Sequence, residues 1–221
     1  MKNNIGIIIL LFCFGLNGQN KIMEYPTEPN GEKSYTYNYF KKILIDLSVD
    51  SLEISKNEFH FRFITPRHIL EIWKTKDLKP KGKIISFVEK QPDSMNLEYH
   101  NNEIKKKYYK LESNLKQKRT IHIYKKLTEL QLDKIPSSTM PIGESKKNLI
   151  LLEFSNKTDY KFKEFWVSNE KPKQNEFDKK IIGFDKLMTS TMNYEQLYND
   201  LVDSLPNGCF NMANGFVKCI K

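Results

Sequence analysis

Histidine, arginine, glycine and cysteine are all scarce in this chain, and each shortage removes a class of chemistry. The 221 residues include 4 histidines, 9 glycines and 3 cysteines. There is no HExxH, no GxSxG, no CxxC and no phosphate-cradling glycine loop, so zinc proteases, serine hydrolases, dithiol enzymes and nucleotide binders lack their signatures. The net charge is +9, yet only Arg62, Arg67 and Arg119 carry a guanidinium. Phosphate and nucleic-acid sites favour that planar fork. The lysine excess therefore reads as a solvated surface, and a nucleic-acid partner is disfavoured.

Long apolar runs are also missing, apart from Ile5 to Leu16, which is shorter than the ~20 residues of a membrane-spanning helix. It follows Met1-Lys2 and precedes Leu16-Asn17-Gly18, the pattern of an export signal over 1–18. The expected location is periplasmic or extracellular, with no transmembrane segment once the signal is removed. Phe12 stands where a lipoprotein signal needs a small residue, so lipidation at Cys13 is disfavoured. The two remaining cysteines, Cys209 and Cys219, are most simply a disulfide in an oxidising compartment. No histidine follows His122 to join them in a metal site, and no cofactor is implied.

Punctuation by Pro26, Pro29 and Gly31 marks 19–34 as a flexible leader ahead of a single α+β domain over 35–221. Tyr39, Ile43 and Leu47, with Phe40 and Leu44 beside them, predict a helix over 35–47. Glu58 to Lys90 then reads as a three-strand meander. Phe59, Phe61 and Phe63 alternate with His60 and Arg62, Leu70 and Ile72 alternate with Glu71 and Trp73, and Ile84 to Val88 is apolar on both faces. Residues 91–102 read as loop and 105–111 as strand in preference to helix. Ile123, Tyr124, Leu127 and Leu130 predict a helix over 115–132 capped by Ser113 or Asn114, with a short strand at 120–124 as the competing reading. A hairpin follows at 149–154 and 160–167, then helices over 177–188 and 194–205. Cys209 to Cys219 closes the chain as a hairpin turning at Asn214-Gly215.

Three groups of side chains are candidates for function. His60 and Arg62 share a strand face; with His122 and Lys83 they would make a metal-independent, nuclease-like hydrolase. Glu71, Glu89 and Glu98 are carboxylates on or near strands, as in a glycosidase couple. Trp73, Trp166, Tyr108, Tyr109 and Tyr160 would let a sheet face stack a sugar or pack a protein. The face bearing His60, Arg62, Glu71 and Trp73 is the preferred binding candidate, and it is expected to be a solvated surface.

The segments NEFHFRF, HILEIWK and KGKIISFVE, with LTELQLDKIPS, LILLEFSNKTDYKFKEFW and LPNGCFNM, resemble a group of uncharacterised small exported proteins of AT-rich Gram-negative bacteria. The likeness spans most of the chain after the signal. It implies helix over 115–132 and a paired cysteine hairpin, and it transfers no activity. The fold expected is α+β: an antiparallel sheet of about five or six strands, helices on one face, and a disulfide-closed C-terminal hairpin. The function expected is non-enzymatic binding of a cell-envelope protein or glycan, with the small basic hydrolase as alternative.

Overall fold

Strand alternation and helical spacing account for most of the elements seen in the computed structural model. It describes residues 21–92, 99–100, 103–104, 106–138, 147–168, 175–212 and 215–221. The expected export signal, Cys13 and Glu98 lie outside them. The strands in chain order are β1 (Ile22–Glu24), β2 (Phe59–Ile64), β3 (His68–Lys74), β4 (Lys81–Lys90), β5 (Tyr99–His100), β6 (Glu103–Ile104) and β7 (Lys107–Asn114). They continue with β8 (Lys147–Ser155), β9 (Asp159–Ser168), β10 (Gly208–Asn211) and β11 (Val217–Ile220). The helices are α1 (Tyr35–Asp46), α2 (Gln117–Leu130), α3 (Glu176–Thr191) and α4 (Tyr194–Asp203).

Nine strands share one sheet in the order β1-β9-β8-β2-β3-β4-β10-β11, with β7 on the other edge of β4. Every pairing in it is antiparallel except β1 on β9. The expected five or six strands were too few because three short strands join at the edges. β10 continues the edge beyond β3 through Phe210 opposite Lys90 and Asn211 opposite Glu89, and it brings β11 with it. β1 lies within the expected leader. Residues 21–34 are ordered by that pairing, by the Tyr25 ring against Tyr37 and Tyr160, and by the Thr27–Lys33 bridge.

The strand reading at 105–111 is met by β7, displaced to Lys107–Asn114, and the helix reading over 115–132 is met by α2. The helix starts later than Ser113 or Asn114 would cap it, because both residues are still paired with β4. Lys116 is the N-cap instead, without a side-chain cap bond. Asn175 and Asp178 form a reciprocal capping box on α3, and the Asn193 side chain caps α4. Gly82 sits where a Cβ would lie 2.6 Å from Ile72 Cδ1, so the β3–β4 pairing leaves no room for a side chain there.

Helices cover both faces of the sheet, not one. Phe61, Phe63, Leu70, Ile72, Leu152, Phe154 and Phe165 pack against Ile123 and Leu127 of α2 and Ile181, Phe184 and Met188 of α3. On the reverse, Ile64, Ile69, Ile85, Leu151 and Phe162 meet Tyr37, Ile43 and Leu44 of α1 and Leu52 of a 3-10 turn. α4 closes over Val88 and Phe210. Tyr39, expected on the buried stripe of α1, is 41% exposed, and Tyr37 takes the inward place. Cys209 and Cys219 are directly opposed across β10 and β11 and are joined by the disulfide.

Candidate functional site

The strand face read as a solvated surface is buried. Arg62 and Glu153 are 0% exposed, Glu71 6% and His60 8%. α1 and the 3-10 turn Leu52–Ile54 lie over them, a non-local covering that alternation within β2 cannot report. Register sets the chemistry: Lys83, Glu71, Arg62 and Glu153 face one another in a row across four strands, cation and anion by turns. Arg62 Nη1 donates to Glu153 at 2.7 Å and Nη2 to the Asp50 carbonyl at 2.9 Å, with Glu71 at 3.5 Å. The other Glu153 oxygen accepts from Tyr160 at 2.7 Å, and Lys41 of α1 lies 3.7 Å away. Lys41 also pairs with Glu53, which accepts from the Tyr37 hydroxyl.

His60 belongs to the same network. Its Nε2 is 2.6 Å from Glu71, and its Nδ1 is 2.8 Å from Ser55 Oγ and 3.2 Å from the Asn57 amide. Burial pushes the Glu71 carboxyl up, but the His60 hydrogen bond and the Arg62 and Lys83 charges outweigh it and hold it below its ordinary value. Among the described residues, Arg62 Nε and Glu71 Oε2 are the buried polar atoms of this network without a hydrogen bond. Opposite charges balance across it, and both His60 nitrogens are engaged. Such a cluster orients α1 on the sheet; it presents no free base.

The structure thus brings His60, Arg62 and Glu71 together, with the partly buried Trp73 ring 6.2 Å from His60. Lys83 lies 3.9 Å from Glu71 and 3.0 Å from Glu112. His122 is not with them. It is exposed on α2, which packs on the opposite face of the sheet. The acid–base histidine couple expected of a hydrolase is therefore not formed. Glu89 is bound by Lys106, Tyr108 and Asn211. Trp166 donates to Glu164 near the far end of β9, and Tyr160 is fully buried, so the expected aromatics form no common patch.

A cleft of about 800 Å³ lies elsewhere, where the β2–β3 turn meets α3, α4 and the C-terminal hairpin. Pro66 makes the corner, and Arg67 beside it places its guanidinium 4.6 Å from the centre of the Tyr198 ring. His68, 5% exposed, stacks on Tyr194 with ring centres 4.9 Å apart and bonds Ser86 Oγ through Nδ1 at 2.9 Å. Burial and the adjacent Arg67 charge pull its pKa down to about 4, so it is neutral at pH 7. Phe63, Met212 and Phe216 supply apolar walls, and Glu195 and Lys218 stand exposed in the lining.

Of the cleft's polar side chains that are not exposed, three have no hydrogen-bond or ion-pair partner among the described residues: the Arg67 guanidinium, the Asp185 carboxyl and the buried Tyr194 hydroxyl. Burial raises the Asp185 pKa against the pull of Lys186, and burial with the Asp185 charge raises that of Tyr194. A second cleft of about 270 Å³, between α1, β4 and β7, shares Pro66 and Tyr198 with the first. A third, about 370 Å³, opens beside His60 at the other end of the sheet, where Lys161 is paired with Asp133. None of the residues lining this cleft is in the three candidate groups named from the sequence. The signal available was the Pro66-Arg67-His68 turn itself, polar groups at a corner with no local partner.

No cluster of three or more histidine, cysteine, aspartate or glutamate side chains suited to a metal ion stands among the described residues, and none of their helices is long and apolar enough to cross a membrane. Fold and clefts together define an α+β protein with a mixed sheet and an open, amphipathic cleft at one sheet end. No family model matches the chain, and neither a curated protein nor a solved structure is matched by it.

Proposed function

We propose that this is an exported, non-enzymatic binding protein of the periplasm or cell surface, and that its ligand sits in the cleft at the Pro66 corner. The observation that carries this reading is the contrast between two polar clusters. Around Arg62 the charges are buried and matched within the protein, whereas Arg67, Asp185 and Tyr194 converge on a cavity with nothing to bind. Convergent polar groups in an aromatic-walled cavity of this size are what small-ligand sites have. His68 is buried, bonded to Ser86 through Nδ1 and neutral at pH 7, and no second histidine stands in the lining among the described residues, so the cleft does not hold the histidine couple of the hydrolase alternative. The apolar Ile5–Leu16 run and the disulfide support export.

The test is a two-dimensional amide NMR titration of the chain from residue 19 with a panel of amino acids, short peptides, and mono- and disaccharides. Saturable shifts at Arg67, Tyr194 and Lys218 are expected with at least one probe. Shifts confined to the His60–Glu71 face, or turnover of any probe, would overturn the reading.

A further inference from the structure

The ligand class can be argued from what the cleft leaves unpaired, an inference that rests on the cleft being the binding site. Arg67 and Asp185 reach the same cavity from different elements, the β2–β3 turn and α3, and do not pair with each other. The Tyr198 ring holds the guanidinium at one face, which leaves its N–H fork free in the plane that matches a carboxylate. Asp185 is half-buried, follows the fully buried Phe184, and lines the same cavity as Tyr194, whose hydroxyl is unpartnered. A half-buried carboxylate with no ion-pair partner among the described residues is costly, and a ligand ammonium would offset that cost. A simple anion drawn to Arg67 and Lys218 would meet Asp185 and Glu195; a simple cation would meet the reverse. A neutral sugar would leave both charges uncompensated.

We propose that the cleft binds a zwitterionic ligand of amino-acid chemistry, a free amino acid or short peptide. Its carboxylate lies on Arg67, its ammonium at Asp185, and an apolar side chain packs against Phe63, Met212 and Phe216. The Tyr194 hydroxyl is placed to bond the polar middle of such a ligand. The cavity, about 800 Å³, falls within the roughly 300–1,000 Å³ of small-ligand sites.

Isothermal titration calorimetry on the oxidised chain from residue 19 tests this with L-phenylalanine, Ala-Phe and Ala-Phe-Ala, each with free, N-acetylated and C-amidated ends, and with maltose. Blocking either end is expected to weaken binding by roughly tenfold or more. Comparing phenylalanine with the peptides separates a free amino acid from a peptide as the source. Arg67→Gln should remove the penalty for amidation and keep the penalty for acetylation, and Asp185→Asn should do the opposite. Each variant keeps one discrimination, so a misfolded protein cannot produce the crossed pattern. Equal binding of free and blocked ends would overturn the zwitterion. Binding of maltose alone, with shifts at Arg67 and Tyr194, would overturn the ligand class and leave the binding reading standing. No probe shifting those amides would overturn both.

Discussion

Arg62 carries a full charge at 0% exposure, and its surroundings are arranged to answer it. Glu153, Glu71 and the Asp50 carbonyl all face the guanidinium, and Tyr160 completes Glu153. Removing the cation strands two buried carboxylates, which is worse than never having built the pair. Arg62→Ala is therefore expected to lower unfolding stability by about 3–5 kcal/mol, read as a reduced urea midpoint at unchanged slope. His68 makes a second residue-level prediction, for pH. Its pKa is about 4 when folded, against an ordinary 6.5. As pH falls below 6.5 the unfolded chain takes up a proton that the folded protein refuses, so stability present above 6.5 declines down to about 4. The loss is roughly 3 kcal/mol at ~1.36 kcal/mol per unit. Glu71, depressed instead, loses its contribution at lower pH, below its ordinary range. Comparing His68→Gln with the parent by urea unfolding across this window isolates the histidine from Asp185, whose raised pKa works in the opposite direction. An unchanged slope with pH in the variant would remove His68 as the cause.

At the scale of elements, the C-terminal hairpin does two things. β10 extends the sheet along β4, and residues beyond it, Met212, Phe216 and Lys218, wall the cleft. The disulfide holds β10 to β11 across a sequence separation of 10, a short loop for which about 2–3 kcal/mol of stabilisation is expected. Replacing both cysteines by serine should lower the melting temperature by roughly 5–10 °C. It should also weaken whatever ligand the cleft holds, since three lining residues lose their anchor. Thermal unfolding and calorimetry on the same variant check both parts; a lower melting temperature with unchanged affinity would show that the hairpin is not a wall of the site. α1 plays the matching part on the reverse face. Its apolar residues Ile43 and Leu44 dock it, and Lys41 meets Glu53 and Glu153 beneath it.

At the scale of the whole molecule, the chain shows how far local pattern reaches. Each long run with period-2 or helical spacing became the expected element: Phe59 to Lys90 as a meander, 149–167 as a hairpin, and 194–203 as the last helix. Short elements escaped, because Ile22–Glu24 and Gly208–Asn211 are too brief for a period and exist through their partners on β9 and β4. Part of the buried network was legible as a set, since alternation put His60 with Arg62 and Glu71 with Trp73. Its burial was not, and neither was Glu153, which joins only through the register of β2 on β8. The cleft was least legible. Pro66-Arg67-His68, Asp185 and Tyr194 lie far apart in the chain and meet only when α3 and α4 close over the sheet end.

By itself, the sequence determined which residues share a strand or helix face, where the chain turns, and that Cys209 and Cys219 would pair, because these depend on spacing within a few residues. Only the tertiary structure decided which face of the sheet is covered, which charges are matched and which are left open to a ligand. Those depend on contacts between residues remote in sequence, and a row such as Lys83, Glu71, Arg62 and Glu153 exists only when four strands stand in register.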